Sequence, residues 1–294
     1  MVATVIHYCT NDFRFLRKLI EEARLFSDKI IIPVATHFFN GKSERFDLLH
    51  QTYQEFSDCT FLEYIYYPDH LYNPCLSSYS VDDPEWGCLW NSTSRYLATL
   101  FMPAEIEYAL FLDSDEIVDG KRFAEWLKQG DYHNYSAVRI GCYYYTHHAS
   151  LRADRILPSG LFIRLKELDL SSIVNSRDRW GWWEQIPEPK KMLLDDPPYI
   201  HHYSWVRTKE ECLFKTNSWG HRFDRDWPPL IEAMFRDPKN CSDLLELGLV
   251  FEEAEVYFDP LATPENVIKI NAEMAQRKEI SKALQEPCDN PVPE

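Results

Sequence analysis

Blocks of apolar residues separated by polar stretches read as alternating strands and helices through the first third of the chain. Val2 to Tyr8 is a β-branched run, Thr10-Asn11-Asp12 follows as a capping segment, and Phe13, Leu16, Ile20 and Ala23 recur at helical spacing. Lys29 to Thr36 predicts a second strand, Phe46, Leu49, Tyr53 and Phe56 a helix capped by Ser43, and Thr60 to Tyr66 a third strand. Pro68 to Gly87 reads as irregular, Leu89 to Phe101 as a helix and Ile106 to Leu112 as a fourth strand. Strands alternating with helices imply a parallel sheet with right-handed crossovers. Ligands of such sheets bind outside the carboxyl ends of the strands, which directs attention to Cys9–Asp12 and Asp113–Asp119.

Beyond residue 119 the pattern changes. Ser136 to Tyr145 and Gly160 to Leu165 read as strands, Arg179 to Trp183 as a Trp-rich loop, and Lys209 to Trp219 and Leu230 to Phe235 as helices. This half is α+β. A last helix is predicted from Pro264 to about Leu284, with a frayed tail after it.

Composition narrows the function classes. Of 294 residues, 45% are hydrophobic and 15% aromatic, which is too much core-forming material for a disordered chain. The 31 Lys and Arg against 47 Asp and Glu give a net charge of −16, with no basic cluster for a nucleic-acid backbone or an anionic membrane. Apolar runs such as Ile30–Ala35 and Ala109–Leu112 are too short for a transmembrane helix, and Met1 to Tyr8 lacks the layout of a signal peptide. A cytoplasmic location is the expectation, with eight scattered cysteines as free thiols and the sequons at Asn91, Asn134 and Asn240 without consequence.

The most informative segment is Ala109-Leu-Phe-Leu-Asp-Ser-Asp-Glu116, an apolar strand running into three acids. If the chain stays extended, Asp113 and Asp115 point to the same side. Two carboxylates that close repel unless a cation lies beside them, and a hard divalent ion takes carboxylate and phosphate oxygens together. The competing reading is a plain surface turn, for which Asp and Ser are ordinary residues.

With that turn ending the fourth strand, the chain resembles glycosyltransferases of the GT-A fold, whose signature is a metal-binding Asp-x-Asp after a strand of a nucleotide-binding sheet. Pro198-Tyr-Ile-His-His-Tyr-Ser-Trp205, with Lys215, Trp219 and His221, is similar to the His-x-Ser segment of β-1,4-N-acetylglucosaminyltransferase-like families. The resemblance implies an α/β fold with a Rossmann-like, mostly parallel central sheet flanked by helices. It implies one domain over residues 1–286, made of a nucleotide-binding half (1–118), an acceptor-side half (119–262) and a C-terminal helix (263–286), with a tail at 287–294. It also implies transfer of a sugar from a nucleotide-sugar donor, UDP-linked by preference, to a hydroxyl of a glycan or other acceptor.

By the same resemblance Asp113 contacts the ribose, and Asp115 binds the Mn²⁺ or Mg²⁺ that bridges the diphosphate. His202 is the expected third ligand, with His201 and His221 as alternatives. Thr10 and Asn11, after the first strand, are expected at the nucleotide, although both also suit a plain helix cap. Asn91 and Arg95 are expected to approach the diphosphate.

An inverting transfer needs a carboxylate to take the acceptor's proton. Glu184, directly after Trp182 and Trp183, is the expected base because apolar neighbours raise a carboxyl's pKa; Asp178, Asp195 and Asp224 are its rivals. Trp180, Trp182 and Trp183 cannot all face one core, which suggests a partly exposed platform for a sugar ring. Two other functions compete. A sugar-nucleotide nucleotidyltransferase would carry a Gly-rich basic loop after the first strand, where Cys9-Thr-Asn-Asp12 stands; a non-catalytic carbohydrate-binding module leaves the acidic turn unexplained. In so acidic a chain, an anionic nucleotide is expected to require a bound cation at Asp113 and Asp115.

Overall fold

The computed structural model describes residues 1–64, 84–169, 176, 178–239, 248–262, 266–268, 271–272, 274–277 and 279. Its first half alternates as the sequence predicts. Strand β1 (Val2–His7) is followed by a short 3-10 turn at Thr10–Asp12, helix α1 (Phe13–Ala23), β2 (Lys29–Ala35), α2 (Phe46–Glu55), β3 (Thr60–Tyr64), α3 (Pro84–Leu100) and β4 (Tyr108–Asp113). β1 pairs in parallel with both β2 and β4, and β3 adds in parallel outside β2. With helices filling the crossovers, these strands are covered on both sides, so Ala3, Val5, Ile6, Ile31, Leu110 and Phe111 are fully buried. α1 turns Phe15, Leu16, Leu19, Ile20 and Ala23 onto the sheet, the one-sided stripe expected of a helix packed on one face.

The second half continues the same sheet with mixed polarity. It comprises β5 (Glu116–Val118), α4 (Gly120–Gln129), β6 (Ala137–Thr146), β7 (His148–Ala153), β8 (Leu157–Arg164), α5 (Arg179–Gln185), β9 (Lys190–Leu193), β10 (Ile200–Trp205), α6 (Lys209–Ser218), α7 (Trp227–Arg236) and β11 (Phe251–Glu253). β8 lies antiparallel between β4 and β6, while β10 runs parallel to β6 and antiparallel to β5. The main order is β11-β7-β6-β8-β4-β1-β2-β3. This is the α/β arrangement that the sequence implies, a central sheet flanked by helices, parallel at β1 to β4 and mixed beyond.

Several boundaries differ from the sequence reading, each for a local reason. α3 begins at Pro84, where a proline fits the first helical turn, so its start precedes Leu89. Arg45, with no side-chain cap, precedes α2; Ser43 instead joins an isolated bridge with His37. Arg179–Gln185 is a helix rather than a loop, because Asp178 accepts from the backbone N–H groups of Trp180 and Gly181. The segment after Asp113 contains the short strand β5, held by β10.

The predicted irregular segment before Pro84 and most of the predicted C-terminal helix lie outside the described residues; those described within 266–279 are helical. Cys9, Cys59, Cys88, Cys142 and Cys212 are free thiols, and Cys75, Cys241 and Cys288 lie outside the described residues. Among the described residues, no helix is long and apolar enough to cross a membrane.

Candidate active site

The carboxyl ends of β1 and β4 open onto a cavity of about 630 Å³, within the size range of small-molecule and cofactor sites. The parallel register pairs His7 with Asp113, so the last residue of each strand reaches the same edge. After Asp113 the chain turns. Ser114 donates its backbone N–H to the His7 carbonyl (3.1 Å) and its hydroxyl to Asp12 Oδ2 (2.7 Å). The Asp115 carbonyl accepts from the Tyr203 N–H (2.9 Å), and β10 then pairs His202 opposite Glu116. Asp113 and Asp115 thus reach one cavity through a pinned turn, and not through the extended alternation expected from their spacing.

Four basic side chains from three helices and one loop meet these acids. Arg95, on α3, donates to Asp113 Oδ1 and to the Asn91 carbonyl. Arg179, at the start of α5, reaches Asp113 Oδ2 (3.1 Å) and grips Glu116 through both nitrogens of its fork (2.6 and 2.8 Å). Arg207, after β10, bridges Asp12 Oδ1 (2.5 Å) and Asp115 Oδ2 (2.9 Å). Lys215, on α6, donates to Asp115 Oδ2 (2.6 Å) and Ser204 Oγ (2.9 Å). A capping box between Thr208 and Glu211 fixes the start of that helix.

Burial alone would raise the carboxyl pKa values, but the paired cations outweigh it. Asp113 is held well below the usual range by Arg95 and Arg179, and Asp115 by Lys215, His202 and Arg207. Burial would likewise lower His202, yet its contact with Asp115 (3.4 Å) and its nearness to Glu116 raise it to about 10. His7, at the cavity edge beside Arg95, is pushed down to about 3 by desolvation and by that guanidinium, and shares a hydrogen bond with Ser94 Oγ (2.8 Å) through Nδ1.

These residues do not fit a divalent cation. Each oxygen of Asp113 and Asp115 already faces a basic side chain, Arg95 and Arg179 on Asp113 and Arg207, Lys215 and His202 on Asp115. The partly exposed Asp113 keeps a lone pair for a hydroxyl, while a divalent ion would meet a basic group at every oxygen. His202 Nε2 faces Asp115 Oδ1 at 3.4 Å, so that oxygen too is turned toward a side chain. Among the described residues, no group of three or more His, Cys, Asp or Glu side chains could hold a metal ion.

The remaining expected residues separate into those at the cavity and those away from it. Asn11, Asn91, Asp113, Asp115 and His202 line it. Thr10 is buried beside it, with its backbone N–H (3.2 Å) and hydroxyl both bound to Glu44 Oε2; Arg95 is buried behind Asp113. Glu184 is exposed, accepts from Trp180 Nε1 (2.9 Å) and is not part of the cavity lining, so the apolar enclosure expected of it is missing. The Trp run divides: Trp182 is buried edge-on against Phe111, Trp183 packs under Lys190, and Trp180 lines the cavity at 40% exposure.

The sequence reading gave Arg179 and Arg207 no role, and named His221 only as an alternative metal ligand and Asp224 only as a rival base, not as the pair they form on the far wall. His221 Nδ1 and Asp224 Oδ2 lie 2.9 Å apart, both line the cavity, and each side chain is 37% exposed. Trp219 and Trp227 stand beside them, and the His221 carbonyl accepts from Trp227 Nε1 (2.9 Å). This wall is seated by glycine contact. A Cβ on Gly87 would come 2.5 Å from the Cα of Gly220, a distance no side chain tolerates there.

No family model and no curated protein sequence matches the chain. Solved structures that resemble it include Staphylococcus aureus TarS 1–349 in complex with UDP-GlcNAc, at 12% identity over 80% of this chain and 71% of that one, with a TM-score of 0.41. The glycosyltransferase GlyE of Streptococcus pneumoniae TIGR4 matches at 12% identity over 80% of this chain and 63% of its own, with a TM-score of 0.38. The 4-diphosphocytidyl-2C-methyl-D-erythritol synthase of Anaerococcus prevotii matches at 10% over 76% and 99%, also at 0.38. These are loose likenesses, and the functional reading rests on the site itself.

Proposed function

We propose that the chain is a glycosyltransferase that moves a sugar from a nucleotide-sugar donor, UDP-linked by the family resemblance, to a hydroxyl of a glycan or other acceptor. One observation carries this reading: an Asp-Ser-Asp turn and a lysine meet at the carboxyl ends of parallel strands, on a cavity whose opposite wall is aromatic and bears a His–Asp pair. The first feature suits a nucleoside diphosphate, with Asp113 and Asn11 as polar partners for the nucleoside. The second suits sugars, whose C–H faces pack on rings such as Trp180 while their hydroxyls seek polar groups.

In the inverting reaction preferred here, the acceptor oxygen attacks the anomeric carbon, the bond from that carbon to the diphosphate oxygen breaks, and the nucleoside diphosphate leaves. The acceptor's proton needs a base. His221 suits that role better than Glu184, because Asp224 can only accept and therefore fixes the proton on Nδ1 of the neutral ring, leaving the Nε2 lone pair to take the acceptor's proton. The sugar moved is a hexosyl or N-acetylhexosaminyl group.

A thermal-shift panel of UDP, GDP, CDP and free sugars tests the binding half of this reading. Stabilisation by a nucleoside diphosphate is expected. Stabilisation by free sugars alone would replace the transferase with a carbohydrate-binding module.

A further inference from the structure

We propose that Lys215 supplies the positive charge that steadies the departing diphosphate, in the position the family resemblance would give to a divalent cation, so that transfer proceeds without metal. The proposal rests on the nucleotide-sugar reading and adds the identity of its electrophilic group. Its first support is position. Lys215 lines the cavity, yet its side chain is only 9% exposed and is anchored by Asp115 at 2.6 Å and Ser204 at 2.9 Å. A lysine ammonium carries three N–H donors, and these two acceptors leave one for a phosphate oxygen.

The second support is charge. Asp12, Asp113, Asp115 and Glu116 are matched by Arg95, Arg179, Arg207 and Lys215, all of them in direct contact across the cluster. Four acids facing four basic side chains cancel before any ligand arrives, and His202, against Asp115 and Glu116, adds to the positive side. The repulsion that would draw in a divalent ion is already relieved by the protein, and an added ion would have to break a buried pair to reach an Asp115 oxygen.

A third support is rigidity. Arg207, whose side chain is 1% exposed, holds Asp115 from behind by way of Asp12 and the Asn11 carbonyl, so Asp115 stays in place as the leaving group departs. Asp115 is thus a positioning residue for Lys215. When the bond to the anomeric carbon breaks, its electron pair goes to the bridging diphosphate oxygen, and the ammonium faces that charge without giving up its proton.

The test measures UDP-induced thermal stabilisation and sugar-transfer turnover in the wild-type chain with excess EDTA and, separately, with Mn²⁺ or Mg²⁺. Equal stabilisation and equal turnover in the two conditions are expected, and Lys215→Met should weaken UDP binding by about 10–100-fold. Lys215→Arg, which keeps the charge, should recover part of it. Stabilisation or turnover that disappears in EDTA would overturn the proposal while leaving the transferase reading intact. No stabilisation by any nucleotide in either condition would remove both together. The EDTA comparison needs no variant, so misfolding of Lys215→Met would not blunt it.

Discussion

The floor and the far wall of the cavity handle polar chemistry in opposite ways. On the floor Asp115 is 3% exposed and Arg207 1%, each held by several partners; on the wall the side chains of His221 and Asp224 are 37% exposed and pair with each other. A buried, saturated cluster keeps one geometry and suits the invariant part of a donor, the diphosphate. An open aromatic wall tolerates variation and suits a sugar and its acceptor. The difference assigns stability and counter-charge to one end of the pocket, and proton transfer and sugar choice to the other.

Substitutions can break that division, and Asp115→Asn should do so most severely. It leaves Arg207 and Lys215 with Asp12 as the remaining carboxylate in contact with either, so a stability loss of about 3–5 kcal/mol is expected in denaturant titration, together with loss of activity. A residue that served only as a metal ligand would leave the stability of the metal-free chain unharmed. On the wall, His221→Ala should lower kcat by about 100-fold without shifting the melting temperature. An unchanged kcat would return the role of base to a carboxylate.

Glu44 sharpens the comparison from the floor side. It lines the cavity, and burial raises its carboxyl from 4.5 to about 7 despite hydrogen bonds from Thr10. A raised folded-state value means that its contribution is complete below about 4.5 and lost as pH climbs through 7, about 3 kcal/mol in all. Glu44→Gln should therefore flatten the stability profile between those values and leave the variant more stable than wild type at pH 8. The smallest effect is expected from Trp180→Ala, a rise in donor or acceptor KM by about 5–10-fold with no change in melting temperature. A large stability loss there would show that the ring is core rather than platform.

The parallel half was legible because periodicity there has a local cause. Buried strands of parallel sheets read as continuous apolar runs, and the acid turn after Leu112 breaks such a run abruptly. Arg95 and Lys215 stood out in the sequence, but the pairing of any of the four cations with these acids was not legible. Lys215 lies 100 positions from Asp115, Arg207 lies 92 away, and Arg179 lies 66 from Asp113, so nothing near the turn announces them. The expectation that an acidic chain needs an added cation left this clustering out: the net charge of −16 is an average, and the cluster around Asp115 gathers its own bases.

Glu184 illustrates a different limit. Its neighbours Trp182 and Trp183 predicted an apolar setting, but the capped helix at Asp178 turns Trp182 into the core and Glu184 toward solvent. Short strands such as β7, β9 and β11 also escaped notice, because three to six residues carry too little periodicity to separate from loop.

The most direct test of the central claim is to incubate the wild-type chain with a panel of sugar nucleotides and candidate acceptors, and to identify the released nucleotide. Release of a nucleoside diphosphate, with the sugar joined to an acceptor hydroxyl, is the predicted result. Release of a nucleoside monophosphate with a sugar phosphate, or recovery of every donor intact, would contradict it.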